Sequence, residues 1–510
     1  MNKIVLFVVI LHLSVSECGN HKTLLISCDA FRWNYLQIID KPANNLQYLI
    51  SNGAFANYGI RNQFTTITLP NHVSLATGLN VDDHGIVGND MFDPLFNESF
   101  AAWKNVNGST VNWDDGNFKK DTKWMNNVAE PIWVTLGRQG VGKSAIVMWP
   151  FSSYTFNGAA ADFWIGWNGS VAYEDRVDQL VSKLEKDDYQ FGILYIEELD
   201  EVGHKYGPFS KEMVDAVLRV DDVIGYLLAR LGSSELWPCC VDIILTADHG
   251  MTQINSENAV HLPKYVDVSK FWIYDQTILP VPGFEREVFL NLSRAPNMRI
   301  YYKNESTPAS EHYSHHRRIH DIVYFLDDGF YLSGNDLSGN LLQNDRRSEE
   351  MKRIPVGAST WGSHGYDNRF SSMWPVFIAS GPSFKRNITV EPFSNTQVYC
   401  VICWINRVKP HPNADCNSDH TLRVMEQLLL EPTMHNIHSS RNLPLLTCSL
   451  LFLGGILLFI FIVAFGVKTS SELKIEDRKV QSVVSTKFFI TNLKSEYLVA
   501  NNGDDDHLID

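Results

Sequence analysis

The spacing of apolar and polar residues divides the chain into short, continuous apolar runs and segments with a helical repeat. K-T-L-L-I-S-C at Lys22 to Cys28 is the first apolar run and reads as a buried strand, and Asn44 to Ser51 follows with helical spacing that stops at Gly53. Ala54 to Phe64 reads as extended, Thr65 to Asn71 as a polar turn around Pro70, and His72 to Thr77 as a short helix closed by Gly78. The alternation continues with a helix at Pro131 to Leu136, a strand at Ser144 to Trp149, an amphipathic helix at Tyr173 to Glu185 and a strand at Phe191 to Ile196. It resumes with a long helix at Lys211 to Leu231, a strand at Val241 to Ala247, a late strand at Met373 to Ala379 and a helix at Thr396 to Val408. A tryptophan-rich stretch from Asp93 to Trp124 reads as an insertion, and Arg299 to Leu332 as a strand-rich subdomain within a region otherwise poor in signals. Strands that alternate with helices and end in polar residues predict an α/β fold: a mostly parallel central sheet flanked by helices, with its site along the carboxyl edges of the strands.

Both ends of the chain depart from this pattern. Met1 to Ser16 has the positive start, short apolar core and small-residue exit of a secretory signal. Leu443 to Val467 is almost uninterrupted apolar sequence, long enough at roughly 20 or more residues to cross a bilayer as one transmembrane helix. A lipid-anchor signal would end in its apolar tail, whereas here residues 468–510 follow. The expected organisation is a signal peptide at 1–16, an extracellular domain at 22–417, a stalk at 418–442, the membrane anchor at 443–467 and a cytoplasmic tail at 468–510. That is a type I, cell-surface topology. Six N-x-S/T sequons, at Asn97, Asn107, Asn168, Asn291, Asn304 and Asn387, all precede the anchor and agree with it as glycosylation sites.

The net charge of −15 argues against a nucleic-acid partner, which would call for a basic, counterion-releasing surface. Eight cysteines suit an oxidising compartment. Cys18 lies at the signal junction, Cys28 in a strand and Cys448 in the anchor, which leaves Cys239, Cys240, Cys400, Cys403 and Cys416 with a pairing that spacing does not determine.

The chemistry-bearing residues sit at comparable places in separate elements. Asp29 closes the first strand, and Asp248 and His249 close the strand at Val241 to Ala247. Asp200 and His204 lie in what reads as a loop after Phe191 to Ile196, beside Gly203, Gly207 and Pro208, and His364 lies in a Gly-containing loop at Thr360 to Asn368. Three Asp and three His suffice for two three-ligand sites of the mixed carboxylate and imidazole kind that zinc accepts. Two such ions roughly 3.5–4 Å apart form the clamp used for in-line displacement at phosphorus. The candidate nucleophile is Thr68 in T-I-T-L-P-N-H, a hydroxyl that needs a metal to activate it, and the alternative is that Thr68 merely caps the helix. Nearby Asn71 could donate its amide to a phosphoryl oxygen or be the cap itself. One further stretch, G-R-Q-G-V-G-K-S at Gly137 to Ser144, matches the phosphate-loop pattern but runs from a helix into a strand, the reverse of what that loop requires.

The segments D-A-F-R-W, T-L-P-N-H, H-G-I-V-G-N-D-M-F-D-P, Y-I-E-E-L-D-E-V-G-H-K-Y-G-P, T-A-D-H-G-M and G-S-H-G-Y-D-N resemble the ectonucleotide pyrophosphatase/phosphodiesterase family of the alkaline phosphatase superfamily. The resemblance covers about residues 22 to 410. It implies that Asp200, His204 and His364 hold one zinc, that Asp29, Asp248 and His249 hold the other, and that Thr68 forms a covalent phosphothreonine intermediate, with Asn71 on the phosphoryl oxygens. It also implies a small anionic phosphodiester substrate, a nucleotide in many members. Two positions depart from the nucleotide-cleaving pattern: Leu69 replaces the usual base-stacking Phe, and Trp167 stands where a base-stacking Tyr is usual. The alternatives are therefore a lipid-directed phosphodiesterase of the choline type, or an ectodomain that serves mainly in adhesion.

Overall fold

The run Lys22–Cys28 shows no polar–apolar alternation because both of its faces are covered; all seven of its residues are buried. The computed structural model describes residues 21–106, 109–112, 122–125, 128–186, 188–303, 312–333 and 358–430. Its central sheet has eight strands: β1 (Lys22–Cys28), β2 (Gly53–Ala56), β3 (Lys143–Val147), β4 (Phe163–Ile165), β5 (Tyr189–Ile196), β6 (Val241–Thr246), β7 (Phe377–Ser380) and β8 (Ile388–Val390). Their spatial order is β8-β2-β7-β6-β1-β5-β3-β4. Strands β6, β1, β5, β3 and β4 run parallel, and β7 opposes both β6 and β2, so the sheet is mixed with a predominantly parallel centre.

The two-residue period of the strands divides their side chains between two cores. Leu25, Ile146, Ile193 and Ile244 point to one face, which the helix Thr396–Ile405 covers, whereas Leu24, Ile26, Leu194, Ile243 and Leu245 point to the other. The helices include α1 (Asn44–Ser51), α2 (Thr68–Thr77), α3 (Tyr173–Leu184), α4 (Glu198–Tyr206), α5 (Lys211–Ser233), α6 (Thr396–Ile405) and α7 (Asp419–Leu428), beside others such as Ile132–Arg138 and Glu285–Leu292. Because α4 and α5 carry the chain from β5 across β1 to β6, the carboxyl ends of three adjacent strands open onto one crevice. A separate four-stranded antiparallel sheet (Phe271–Tyr274, Thr277–Pro280, Ile322–Leu326 and Met298–Tyr302) corresponds to the strand-rich region expected around Arg299 to Leu332.

Several local expectations change. Asp200 and His204 stand one turn apart on α4, not in a loop, and Gly203 is inside that helix because Met251 packs where a Cβ would be. Helix α2 begins at Thr68, with Pro70 inside its first turn, where a missing N–H costs nothing. The extended segment expected at Ala54 to Phe64 contracts to β2, and the late strand shifts to β7, after a 3-10 turn at Ser371–Met373. Thr360–Ser363, expected as loop, pairs antiparallel with Thr252–Asn255. The stalk expected from residue 418 gives way to α7, whose Val424, Met425 and Leu428 are buried against the sheet domain, so the domain reaches at least residue 430. The signal at 1–16, the rest of the stalk, the transmembrane helix at 443–467 and the tail lie outside the described residues, among which no helix is long and apolar enough to cross a membrane. Gly137 to Ser144 spans the end of the helix Ile132–Arg138 and the start of β3, the wrong order for a phosphate loop. Cys400 pairs with Cys416, Cys240 is also disulfide-bonded, and Cys28, Cys239 and Cys403 are free thiols.

Two contacts are decisive for packing around the crevice. Ala43, which precedes α1, offers no side-chain cap; the buried Asp221 of α5 supplies one instead, accepting the Leu46 N–H at 2.8 Å and the Asn45 N–H at 3.3 Å. Asp221→Ala should therefore lower stability by about 1–3 kcal/mol in a denaturant titration, because it orphans two backbone donors; an unchanged midpoint would show that water replaces the cap. The Thr252–Asn255/Thr360–Ser363 ribbon lies directly on α4, where a Cβ on Gly362 would come within 2.4 Å of the Gly203 carbonyl oxygen. Gly362→Ala should cost about 1–3 kcal/mol through overpacking, and a melting temperature equal to wild type would mean that the two backbones part freely.

Candidate active site

Asp29 follows β1, Asp248 and His249 follow β6, and Asp200 and His204 ride on α4 beyond β5, so strand adjacency alone brings five of the expected ligands to one crevice. The sixth, His364, arrives on the ribbon: the contact between Gly362 and Gly203 sets its imidazole against that of His204. The structure thus brings together every residue expected to hold metal.

Each of the three candidate ligand histidines has its tautomer fixed from behind. His204 Nδ1 meets the Gly362 carbonyl at 3.1 Å, His249 Nδ1 the Gly250 carbonyl at 2.9 Å and His364 Nδ1 the Thr66 carbonyl at 3.1 Å. A carbonyl can only accept, so each Nδ1 carries the proton and each Nε2 turns a lone pair inward. His204 Nε2 and His364 Nε2 then face each other at 3.1 Å, with Asp200 Oδ1 at 3.3 and 3.4 Å from them. In the second group, His249 Nε2 lies 3.4 Å from Asp29 Oδ1 and 3.2 Å from Asp248 Oδ2. The groups meet at His249, whose ring stacks on that of His364 with centroids 3.7 Å apart and whose donor atom is also within 4.8 Å of those of Asp200 and His364.

These separations fit a metal. Ligand atoms bound tetrahedrally at zinc distances of 2.0–2.2 Å stand roughly 3.3–3.6 Å from one another. Asp29 Oδ1, Asp200 Oδ1 and Asp248 Oδ2 are buried and accept no hydrogen bond, whereas the other oxygen of Asp29 takes the Tyr195 hydroxyl and that of Asp248 takes the Ala30 N–H at 3.2 Å. Burial, reinforced by the neighbouring carboxylates, pushes Asp29 well above the usual carboxylate range, and burial also raises Asp248. Burial acts the same way on Asp200, but the positive charge that the His204, His364 and His249 imidazoles carry when protonated outweighs it and favours the ionised carboxylate. Burial pushes His249 down to about 4, which keeps its ring neutral and able to ligate.

Thr68 is the first residue of α2 and is buried, and its Oγ1 lies 3.4 Å from His249 Nε2. The cap position belongs to Ile67, so the hydroxyl is not a helix cap and points into the metal crevice. His72, one turn on, ties Thr68 to the sheet: Nδ1 donates to the Thr68 carbonyl at 2.8 Å, and Nε2 accepts from Ser27 Oγ at 3.0 Å. Burial pushes this imidazole down to about 3, so it stays neutral.

Of the residues expected to meet substrate, Asn71 is engaged elsewhere. Its side chain is fully buried, its Nδ2 donating to the Gln63, Thr65 and Ile67 carbonyls and its Oδ1 accepting from Gln63 N and Asn395 Nδ2. The amide beside Thr68 is instead that of Asn89, whose Oδ1 accepts the Leu69 N–H at 2.8 Å. Asn89 lies within the H-G-I-V-G-N-D motif, but an Asn after Gly reads locally as a turn former, and its partner is 20 residues away. Leu69 is completely buried in an apolar cluster with Phe64, Val73 and Tyr313 and presents no face to a ligand, whereas Trp167 packs half-buried against the same cluster.

Comparison with known proteins identifies the family. The family model described as type I phosphodiesterase/nucleotide pyrophosphatase matches residues 23–367. Human ectonucleotide pyrophosphatase/phosphodiesterase family member 5 is 34% identical over 398 residues, covering 77% of this chain and 76% of its own. The human bis(5'-adenosyl)-triphosphatase ENPP4 is 34% identical over 399 residues, covering 77% and 79%. The solved structure of murine ENPP5 superposes with a TM-score of 0.68 at 33% identity, covering 80% of this chain and 100% of its own. An inactive threonine-to-alanine variant of that murine protein, solved in complex with AMP, gives the same score and coverage. On these grounds the chain belongs to the type I phosphodiesterase/nucleotide pyrophosphatase family of hydrolases.

Proposed function

We propose that this chain is a cell-surface, zinc-dependent phosphodiesterase/pyrophosphatase that hydrolyses extracellular nucleotides and releases a nucleoside monophosphate, with Thr68 as its nucleophile. The observation that carries this reading is the pair of inward lone pairs on His204 and His364, converging with Asp200 Oδ1 beside a second triad that touches Thr68. Asp200, His204 and His364 would hold one zinc, and Asp29, Asp248 and His249 the other. When bound, the ions supply charge neutralisation at the phosphoryl oxygens and lower the pKa of the attacking hydroxyl and of water.

This chain's own residues do the rest. The Thr68 hydroxyl attacks phosphorus in line, so that the Oγ–P bond forms as the bond to the leaving oxygen breaks and the proton leaves with the departing alcohol or phosphate. Water then cleaves the phosphothreonine ester, restoring Thr68 and freeing the monophosphate. The amino end of α2 favours the anionic phosphoryl group through its dipole, and Asn89 Nδ2, next to Leu69 N–H, is placed to donate to a nonbridging oxygen in place of the amide expected from Asn71. Trp167 offers one stacking surface for a base, and with Leu69 buried the opposite face of the base is left without its usual partner. The expected topology completes the reading: signal removal, a single-pass anchor at 443–467, and glycans on sequons of which Asn97, Asn168 and Asn387 are exposed and Asn291 is half-buried on a helix. Asn107 and Asn304 lie outside the described residues.

One observation favours the lipid-directed reading. A pocket open to solvent lies against α2, lined by Val73, Ala76, Trp133, Trp149, Phe151 and Tyr154 among others, and the apolar part of its wall suits a short apolar chain. The purified full chain should therefore be assayed in parallel on a nucleotide phosphodiester and on lysophosphatidylcholine. Release of nucleoside monophosphate is expected, abolished by a chelator and reduced roughly a thousandfold or more in Thr68→Ala. Turnover of the lysophospholipid alone would replace the nucleotide reading, and activity that survives Thr68→Ala would remove the proposed nucleophile.

A further inference from the structure

The four-stranded antiparallel sheet supplies none of the proposed metal ligands, yet its first turn reaches the flank of the nucleophile. Asp275 closes the turn between Phe271–Tyr274 and Thr277–Pro280, and its buried carboxylate Oδ2 accepts the Asp90 N–H at 2.8 Å. A Cβ on Gly88 would come within 2.6 Å of that same oxygen and 2.7 Å of the Asp90 carbonyl oxygen, so residues 88–90 close tightly on the Asp275 carboxylate. The residues leading into this loop are gripped by the same part of the chain: Tyr313 donates its hydroxyl to the Val87 carbonyl at 3.0 Å, and Arg318 Nη1 donates to the Gly85 carbonyl at 2.5 Å. Between the glycine and the residue held by Asp275 stands Asn89, hydrogen-bonded to Leu69 N–H next to Thr68.

We propose that Asp275 is a positioning residue for phosphoryl transfer: by holding the 88–90 loop it fixes the Asn89 amide against Thr68, where the amide can meet the charge that develops on a nonbridging oxygen. The proposal rests on the phosphodiesterase reading above and gives the second sheet a part in it. A donor aimed in advance at developing charge acts mainly on kcat, and a loop free to drift would lose that benefit without losing the substrate.

The test is a double-mutant cycle on the full chain with a nucleotide phosphodiester, with melting temperature and bound zinc followed alongside. Asp275→Ala should lower kcat on the order of tenfold to a hundredfold with little change in KM. Asp275→Asn, which keeps an acceptor oxygen for Asp90 N–H, should retain most of the wild-type rate. In an Asn89→Ala background the same Asp275→Ala change should cause no further loss, because the two residues act as one unit. Gly88→Ala displaces the same oxygen from the opposite side and carries the same test if Asp275→Ala fails to fold. Losses that multiply, an equal loss in Asp275→Asn, or a change confined to KM would overturn the assignment while leaving the reaction in place. A wild-type chain that hydrolyses no phosphodiester would instead remove the reading on which it rests.

Discussion

His204 and His364 present lone pairs to each other across 3.1 Å, each fixed in that tautomer by a backbone carbonyl behind it. Two acceptors at that distance repel unless a cation lies between them. A shared proton would satisfy two atoms, but Asp200 Oδ1 closes the triangle at 3.3 and 3.4 Å, and a metal ion would satisfy all three. The same logic applies next door, where Asp29 and Asp248 are buried together and the cationic side chains of lysine and arginine leave them unmatched among the described residues. Burying carboxylates without compensation is costly, so the arrangement makes physical sense as a site built around positive charge.

The remainder of the fold serves to hold those donors. Because β1 lies between β5 and β6, three carboxyl ends open side by side, and the bare Gly203–Gly362 contact lets the ribbon deliver His364 to α4. His72 fastens the first turn of α2 to Ser27 on β1, which holds Thr68 at a fixed distance from the ligands. Tyr195 and Ala30 orient the Asp29 and Asp248 carboxylates through the oxygens that do not face His249. Such outer contacts determine where a ligand atom points, and a phosphoryl-transfer site depends on placement more than on any single strong group.

The strands and the ligands at their ends were legible because buried parallel strands are plain apolar runs, and an Asp or His just past such a run stands out. Thr68 was legible through its motif, but Pro70 made the first turn of α2 read as loop, although proline is tolerated there. Helix α4 was hidden by glycine: Gly203 and Gly207 read as punctuation, whereas Gly203 serves a close backbone approach that only tertiary structure reveals. Asn71 is suggested by its closeness to Thr68 in the chain, yet its hydrogen bonds go to Gln63, Thr65 and Ile67, while the Asn89 contact spans 20 residues and has no local signal. Helix α7 carried its own signals, an amphipathic repeat and a Ser418 side chain that accepts the Thr421 N–H, but proximity to the expected anchor favoured a stalk.

The most direct test of the central claim is metal stoichiometry. Apo-protein prepared with a chelator and titrated with zinc in a calorimeter should take up two equivalents per chain, and Asp200→Ala should lose one of them while keeping its fold. A chain that binds no zinc, or that retains both equivalents after Asp200→Ala, would contradict the account.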